Sequence, residues 1–122
     1  MAGPTAAMGA AAGSSPPAAV TQADSRDDSA VIFCGSGASG ATTGTYCTIS
    51  LVGNYSATAV DDPAIPKVRV TFGYPTSAIA AAALAVSAIT TKTITISAYG
   101  TPASAMTATA AGGISVFITM NN

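Results

Sequence analysis

Two cysteines and five acidic residues are the side chains of this 122-residue chain that are best suited to chemistry. The sequence has no histidine, and its acidic residues are all aspartate. Without an imidazole or a glutamate, the chain lacks the usual general base, the Ser-His and Cys-His pairs of nucleophilic catalysis and the ligand clusters of zinc sites. We therefore predict that the protein is not an enzyme and that it holds no cofactor or metal ion.

Cys34 and Cys47 are separated by twelve residues, most of them in the glycine-rich sequence GSGASGATTGT. On the facing arms of a hairpin the two thiols would be close enough to bridge, and the closed loop would contribute about 3 kcal/mol. The chain starts with Met and shows no secretory signal, so we expect synthesis in a reducing cytosol and two free, buried thiols. A disulfide formed after release is the alternative.

The other motifs with chemical potential are weak. Asp61 and Asp62 precede Pro63, which is typical of a loop, and the spacing of a calcium loop is absent. The sequence GSGASG lacks the Lys-Thr that would follow it in a phosphate-binding loop. Four basic residues cannot neutralise a row of phosphates, so nucleic acid is excluded as a partner. No apolar run is long enough for a membrane span, which excludes a membrane partner.

One charged cluster and the tyrosines each allow two interpretations. Asp24, Arg26, Asp27 and Asp28 form either a solvated hinge or a polar clasp on a neighbouring subunit. The tyrosines either line a loop face on which a sugar stacks or pack in the core or an interface, and we favour packing. They are Tyr46, Tyr55, Tyr74 and Tyr99.

The stretch from Lys67 to Tyr99 shows most clearly how the chain folds. Val68, Val70 and Phe72 alternate with polar residues, and Ile94 and Ile96 alternate with Thr and Ser, as in half-buried strands. Residues 78–89 begin with alanines that suit a helix, but Leu84 and Val86 alternate, and a polar turn at residues 90–92 favours a hairpin with the next strand.

The same alternation predicts further strands on both sides of this stretch. Residues 31–33 lead into the glycine-rich segment, which we interpret as a hairpin tip before a strand over 46–52, and residues 114–120 form the last strand. We expect Phe33, Phe72 and Phe117 in the core or at its rim. Six to eight short strands joined by turns predict an all-β fold over residues 30–122, an antiparallel β-sandwich or a jelly-roll.

Residues 1–29 have a different composition, with three prolines, three glycines and no aromatic residue. Such a segment has too little apolar surface to fold alone, so we predict an extended N-terminal arm that becomes ordered on a partner. The alternative is that it folds back on its own domain. The residues predicted to touch the partner are Pro4, Met8, Pro16, Pro17, Val20 and Arg26.

The chain is poor in charge. Only 7% of its residues are charged, against about 25% in ordinary globular proteins. Charge depletion is a feature of the cores of protein interfaces, so the composition favours assembly over a free monomer. A monomer with a surface of Ser and Thr hydroxyls is the alternative.

A series of segments resembles tailed-phage virion proteins. It runs from a glycine-rich segment through KVRVTFGYP, a small-residue run and TTKTITIS to GGISVFITM, and covers about residues 44–120. The family commonly has an aromatic residue in the TTKTITIS strand where this chain has Ile94.

The resemblance implies a β-sandwich displayed on the virion surface after synthesis in the host cytoplasm. It implies a capsid decoration (cement) protein that binds the major capsid protein as a homotrimer, with the arm bridging capsid subunits. The alternative is a tail or head fibre module that binds host glycans through its loops. A third alternative is a filament subunit that donates N-terminal strands. This alternative is weaker, because strand donation uses alternating large aliphatic residues, which residues 1–20 lack.

Overall fold

The computed structural model describes residues 3–13, 15–37, 44–53, 68–73, 84–90, 92–99, 107, 109 and 113–120. These residues form eight strands and one short 3-10 helix. The elements are β1 (Thr5–Met8), the helix η1 (Ala10–Ala12), β2 (Val20–Thr21), β3 (Ser29–Cys34), β4 (Gly44–Ser50), β5 (Val68–Gly73), β6 (Leu84–Ile89), β7 (Thr93–Ala98) and β8 (Ile114–Met120).

The strands form two antiparallel sheets that pack as a β-sandwich. Sheet A has the order β1-β4-β7-β6, and sheet B has the order β2-β3-β8-β5. The predicted all-β sandwich is therefore confirmed. The β6–β7 hairpin also forms as predicted, because β6 pairs with β7 across a turn in which the Thr90 N–H donates to the Thr93 carbonyl at 2.9 Å.

Alternation along the strands produces the core. In β3 the residues 30, 32 and 34 are buried, and in β7 the residues 94, 96 and 98 are buried, so each strand contributes one face. Val70 and Phe72 of β5 pack against the same cluster, as the sequence predicts. Among the described residues, the large aliphatic side chains that are fully buried are Ile32, Ile49, Ile94, Ile96, Ile114, Val116 and Ile118.

Two features of the fold differ from the sequence-based predictions. β3 and β4 belong to different sheets. The prediction that the glycine-rich segment between them is the tip of a hairpin is therefore wrong, since this segment connects the two sheets. The separate arm over residues 1–29 is not confirmed. Its described residues belong to the sandwich, because β1 pairs with β4 in sheet A and β2 pairs with β3 in sheet B. This is the alternative in which the segment folds back on its own domain.

Candidate functional site

The segment of residues 3–12, here called the N-terminal segment, lies along the edge of sheet A. β1 pairs with β4 over four residues, from Thr5 opposite Ser50 to Met8 opposite Cys47. Glycine allows the close approach at both ends of the strand. A Cβ atom on Gly3 would overlap the carbonyl oxygen of Ser25, and one on Gly9 would overlap the carbonyl oxygen of Thr45. The small residues of this segment therefore serve packing against the chain's own backbone.

Two of the predicted partner-binding residues lie inside this contact. Pro4 is fully buried, and its carbonyl accepts a 2.7 Å hydrogen bond from the Thr21 hydroxyl. Met8 is half-buried and packs against the core cluster. The prediction that Pro4 and Met8 bind a partner is not supported by their positions, because both contact the chain's own sandwich.

The four other predicted partner-binding residues lie nearer the surface. Pro16 and Pro17 are half-buried, and Arg26 is exposed. Val20, in β2, is 49% exposed. These residues remain accessible to a partner.

Val20 belongs to an apolar patch on the outer face of sheet B. Val20 of β2 is paired with Phe33 of β3, and Val31 of β3 is paired with Phe117 of β8. The side chains of Val31, Phe33 and Phe117 point away from the core, because their neighbours in sequence are the buried residues of β3 and β8. Val20 lies on the same face, because it is directly opposite Phe33 in the adjacent strand. Val31 and Phe33 are half-buried, whereas Phe117 is 40% exposed. Phe117 therefore lies on the outer face and is not part of the core. We call Val20, Val31, Phe33 and Phe117 the outer apolar patch.

The charged cluster contains a clasp between two parts of the same chain. The carboxylate of Asp27 accepts hydrogen bonds from the backbone N–H of Val52 at 3.0 Å and of Gly53 at 2.8 Å. Asp27 is only 9% exposed, so water screens these charge-assisted bonds weakly. This contact of Asp27 is intramolecular, and the predicted clasp on a neighbouring subunit stays a prediction. Asp24, Arg26 and Asp28 are exposed.

Tyr46 is a core residue because of a β-bulge. The pairing of β4 with β7 shifts register between Thr45 and Cys47, so both Tyr46 and Cys47 turn inward. The Tyr46 hydroxyl donates to the carbonyl of Gly35 at 2.5 Å. Of the tyrosines considered for sugar stacking, Tyr46 is fully buried, Tyr99 is 61% exposed, and Tyr55 and Tyr74 lie outside the described residues.

The two cysteines meet between the sheets. Cys34 ends β3 in sheet B, Cys47 lies in β4 in sheet A, and both are free, fully buried thiols. Hydrogen bonding with the Cys34 side chain, together with burial, raises the pKa of Cys47. They are near one another as predicted, but across the sandwich and not across a hairpin.

Other parts of the described structure have little capacity for chemistry. A shallow cavity of about 300 Å³ lies between residues 3–5 and 21–25, and Asp24 is the charged residue among its described lining residues. Within the described ranges, no three Cys, Asp, Glu or His side chains come together in a way that suits a metal ion. In the same ranges, no helix has the length and apolar character of a membrane span. Asp61 and Asp62 lie outside the described residues.

Comparisons with known proteins found no matching family model, no matching curated protein and no matching solved structure.

Proposed function

We propose that this chain is a structural virion protein without catalytic activity, a capsid decoration (cement) protein that binds the outer shell as a homotrimer. The outer apolar patch is the observation that best supports the proposal. Phe117 and Val20 expose 40% and 49% of their surfaces on one face of sheet B, in a chain with only 7% charged residues. An exposed apolar patch with few charges around it is typical of an interaction surface.

In this proposal the chain attaches to the capsid through its folded domain and not through a separate arm. The sequence favours a detached arm, but Pro4 and Met8 are packed against the chain's own sandwich. The surface that binds the capsid therefore belongs to the folded domain. Val20 and Arg26 are exposed on this surface, and Pro16 and Pro17 are half-buried. The resemblance to tailed-phage virion proteins supports the capsid as the place of attachment.

The fibre module is a weaker candidate on the described residues. A sugar-binding face needs exposed aromatic rings on which a pyranose stacks. Tyr46 is buried with its hydroxyl bonded inside the protein, which leaves Tyr99 as the exposed tyrosine among the described residues.

The location is tested on virus particles purified from the source that encodes the chain. Quantitative mass spectrometry and labelling with an antibody to the purified protein are expected to find it on the capsid shell, in a constant ratio to the major capsid protein. Its absence from purified particles, or label confined to the tail, would refute the decoration role.

The surface that binds is tested by substitution. We expect light scattering after size-exclusion chromatography to find a trimer for the wild type and a monomer for the double variant V20T/F117T, which removes apolar area from the patch but keeps strand-forming residues. The variant Y99T is the matched control, since it removes an exposed aromatic side chain outside the patch. A trimer that persists in V20T/F117T, or a wild type that stays monomeric, would contradict this interface.

A further inference from the structure

The two cysteines of the chain are placed where a covalent bond would join its two layers. Cys34 and Cys47 come from opposite sheets and are fully buried in the same core cluster. A disulfide needs Cβ atoms about 3.5–4.5 Å apart. The residues next to the two cysteines are already joined, because the hydroxyl of Tyr46, next to Cys47, donates to the carbonyl of Gly35, next to Cys34, at 2.5 Å. The sequence contains no third cysteine that would compete for either thiol.

We propose that Cys34 and Cys47 are an oxidative modification site, at which a small-molecule disulfide such as oxidised glutathione converts the two thiols into a disulfide between the sheets. One cysteine thiolate attacks glutathione disulfide, forms a mixed disulfide and releases one glutathione thiol. The second cysteine then displaces the other glutathione. The two protein thiols are oxidised, one glutathione disulfide is reduced to two glutathione thiols, and the two protein protons end on these thiols.

The N-terminal segment controls access to this pair. The N–H of Gly9 donates to the carbonyl of Tyr46, next to Cys47, at 2.7 Å. The carbonyl of Ala12 accepts the N–H of Gly37, three residues beyond Cys34, at 2.6 Å. Ala11 and Ala12 are buried in the same cluster as both cysteines.

Residues 9–12 thus close the part of the sandwich in which the thiols lie. The pKa of Cys47 is also raised in the folded state, which keeps its thiol protonated and unreactive. Oxidation therefore takes place during folding or when the N-terminal segment opens, and the folded chain reacts slowly.

The first experiment measures the bond itself. The purified chain is unfolded in urea and refolded in a buffer of oxidised and reduced glutathione, and its intact mass is then measured without a reductant. We expect a monomer that is about 2 Da lighter than the reduced chain, and a melting temperature that is higher by about 10 °C, because the bond restricts the unfolded chain. The double variant C34A/C47A is the control and changes in neither respect.

The second experiment measures access. The variant G9A places a Cβ atom against the Thr45 carbonyl and loosens residues 9–12, whereas A7S changes an exposed residue of the same segment. We expect a maleimide to label the reduced thiols of G9A about tenfold faster than those of wild type or A7S, because local opening sets the rate.

Three results would overturn the proposal. The first is a wild-type monomer that keeps both thiols after refolding in oxidised glutathione, and the second is cross-linking between chains only. The third is an internal disulfide that lowers the melting temperature, since the native positions would then oppose the bond. None of these results depends on the location of the protein in a virion.

Discussion

The carboxylate of Asp27 accepts a hydrogen bond from the backbone N–H of Val52 at 3.0 Å. Asp27 precedes β3 in sheet B, and Val52 follows β4 in sheet A, so this bond ties one layer of the sandwich to the other. Together with the neighbouring bond from Gly53, it satisfies two consecutive backbone donors at the end of β4.

The first prediction concerns this clasp. The substitution Asp27→Ala leaves the N–H groups of Val52 and Gly53 without their acceptor, and we expect it to lower the free energy of unfolding by about 2–3 kcal/mol. Asp28→Ala removes an exposed carboxylate from the same turn and is expected to change stability by less than about 0.5 kcal/mol. Urea unfolding measures both variants. Equal stability of the two would show that the clasp has no energetic role.

The second prediction concerns the buried tyrosine. Tyr46→Phe keeps the ring but leaves the Gly35 carbonyl without the donated hydroxyl, which we expect to cost about 1–2 kcal/mol. Tyr99→Phe makes the same chemical change at an exposed ring, so it should have almost no effect on stability. Thermal unfolding followed by circular dichroism gives the melting temperatures of both variants. A Tyr46→Phe variant with the melting temperature of the wild type would argue against a stabilising hydrogen bond.

The third prediction concerns the core. Ile96 is fully buried in β7, and Ile96→Ala is expected to cost about 3 kcal/mol through lost burial and the cavity left behind. Val20→Ala changes a side chain that is 49% exposed and should cost well under 1 kcal/mol. The measurement is chemical denaturation of both variants. Similar midpoints would mean that Ile96 does not lie in the core.

The fourth prediction separates an arm from a strand. Removing residues 1–12 takes Pro4, Ala11 and Ala12 out of the core and leaves the edge of β4 unpaired. We expect the shortened chain to melt at a clearly lower temperature and to aggregate, because an unpaired edge strand pairs with other chains.

A detached arm predicts the opposite result for this deletion. The remaining sandwich would then keep its melting temperature and its solubility. Ala7→Ser is the control within the segment, because residue 7 is exposed and its substitution leaves the backbone pairing of β1 intact.

Strand-level features were predictable because alternation is a local property. In β8, Ile114, Val116 and Ile118 are buried on one face, as the period of two of a strand predicts, whereas Phe117 lies on the opposite face and not in the core. The β6–β7 hairpin was predictable for the same reason, since its turn and both of its strands lie within one short stretch.

The candidate site was less predictable because its contacts join residues that are far apart in sequence. Arg26 and Val20 were predicted to touch a partner as part of an arm; both are exposed in the folded chain, and their contact with a partner stays a prediction. Nothing local marks Gly9 as a residue that approaches the Thr45 backbone, or Asp27 as an acceptor for Val52. The sequence shows Asp27 as a carboxylate in a turn, which is consistent with a hydrogen-bond acceptor. Its backbone partners, Val52 and Gly53, are identified only in the folded chain.

The amino-acid sequence alone determined the sandwich class, the buried face of most strands and the scarcity of catalytic groups, because residue type and a period of two specify these features locally. Tertiary structure alone decided that β3 and β4 lie in different sheets, that the bulge turns Tyr46 inward, and that the N-terminal segment belongs to sheet A. The physical reason is that strand pairing depends on backbone hydrogen bonds between distant segments. Small residues such as Gly3, which packs against the Ser25 backbone, and Ala6, which is paired with Ile49, allow these contacts but give no alternating pattern from which to predict them.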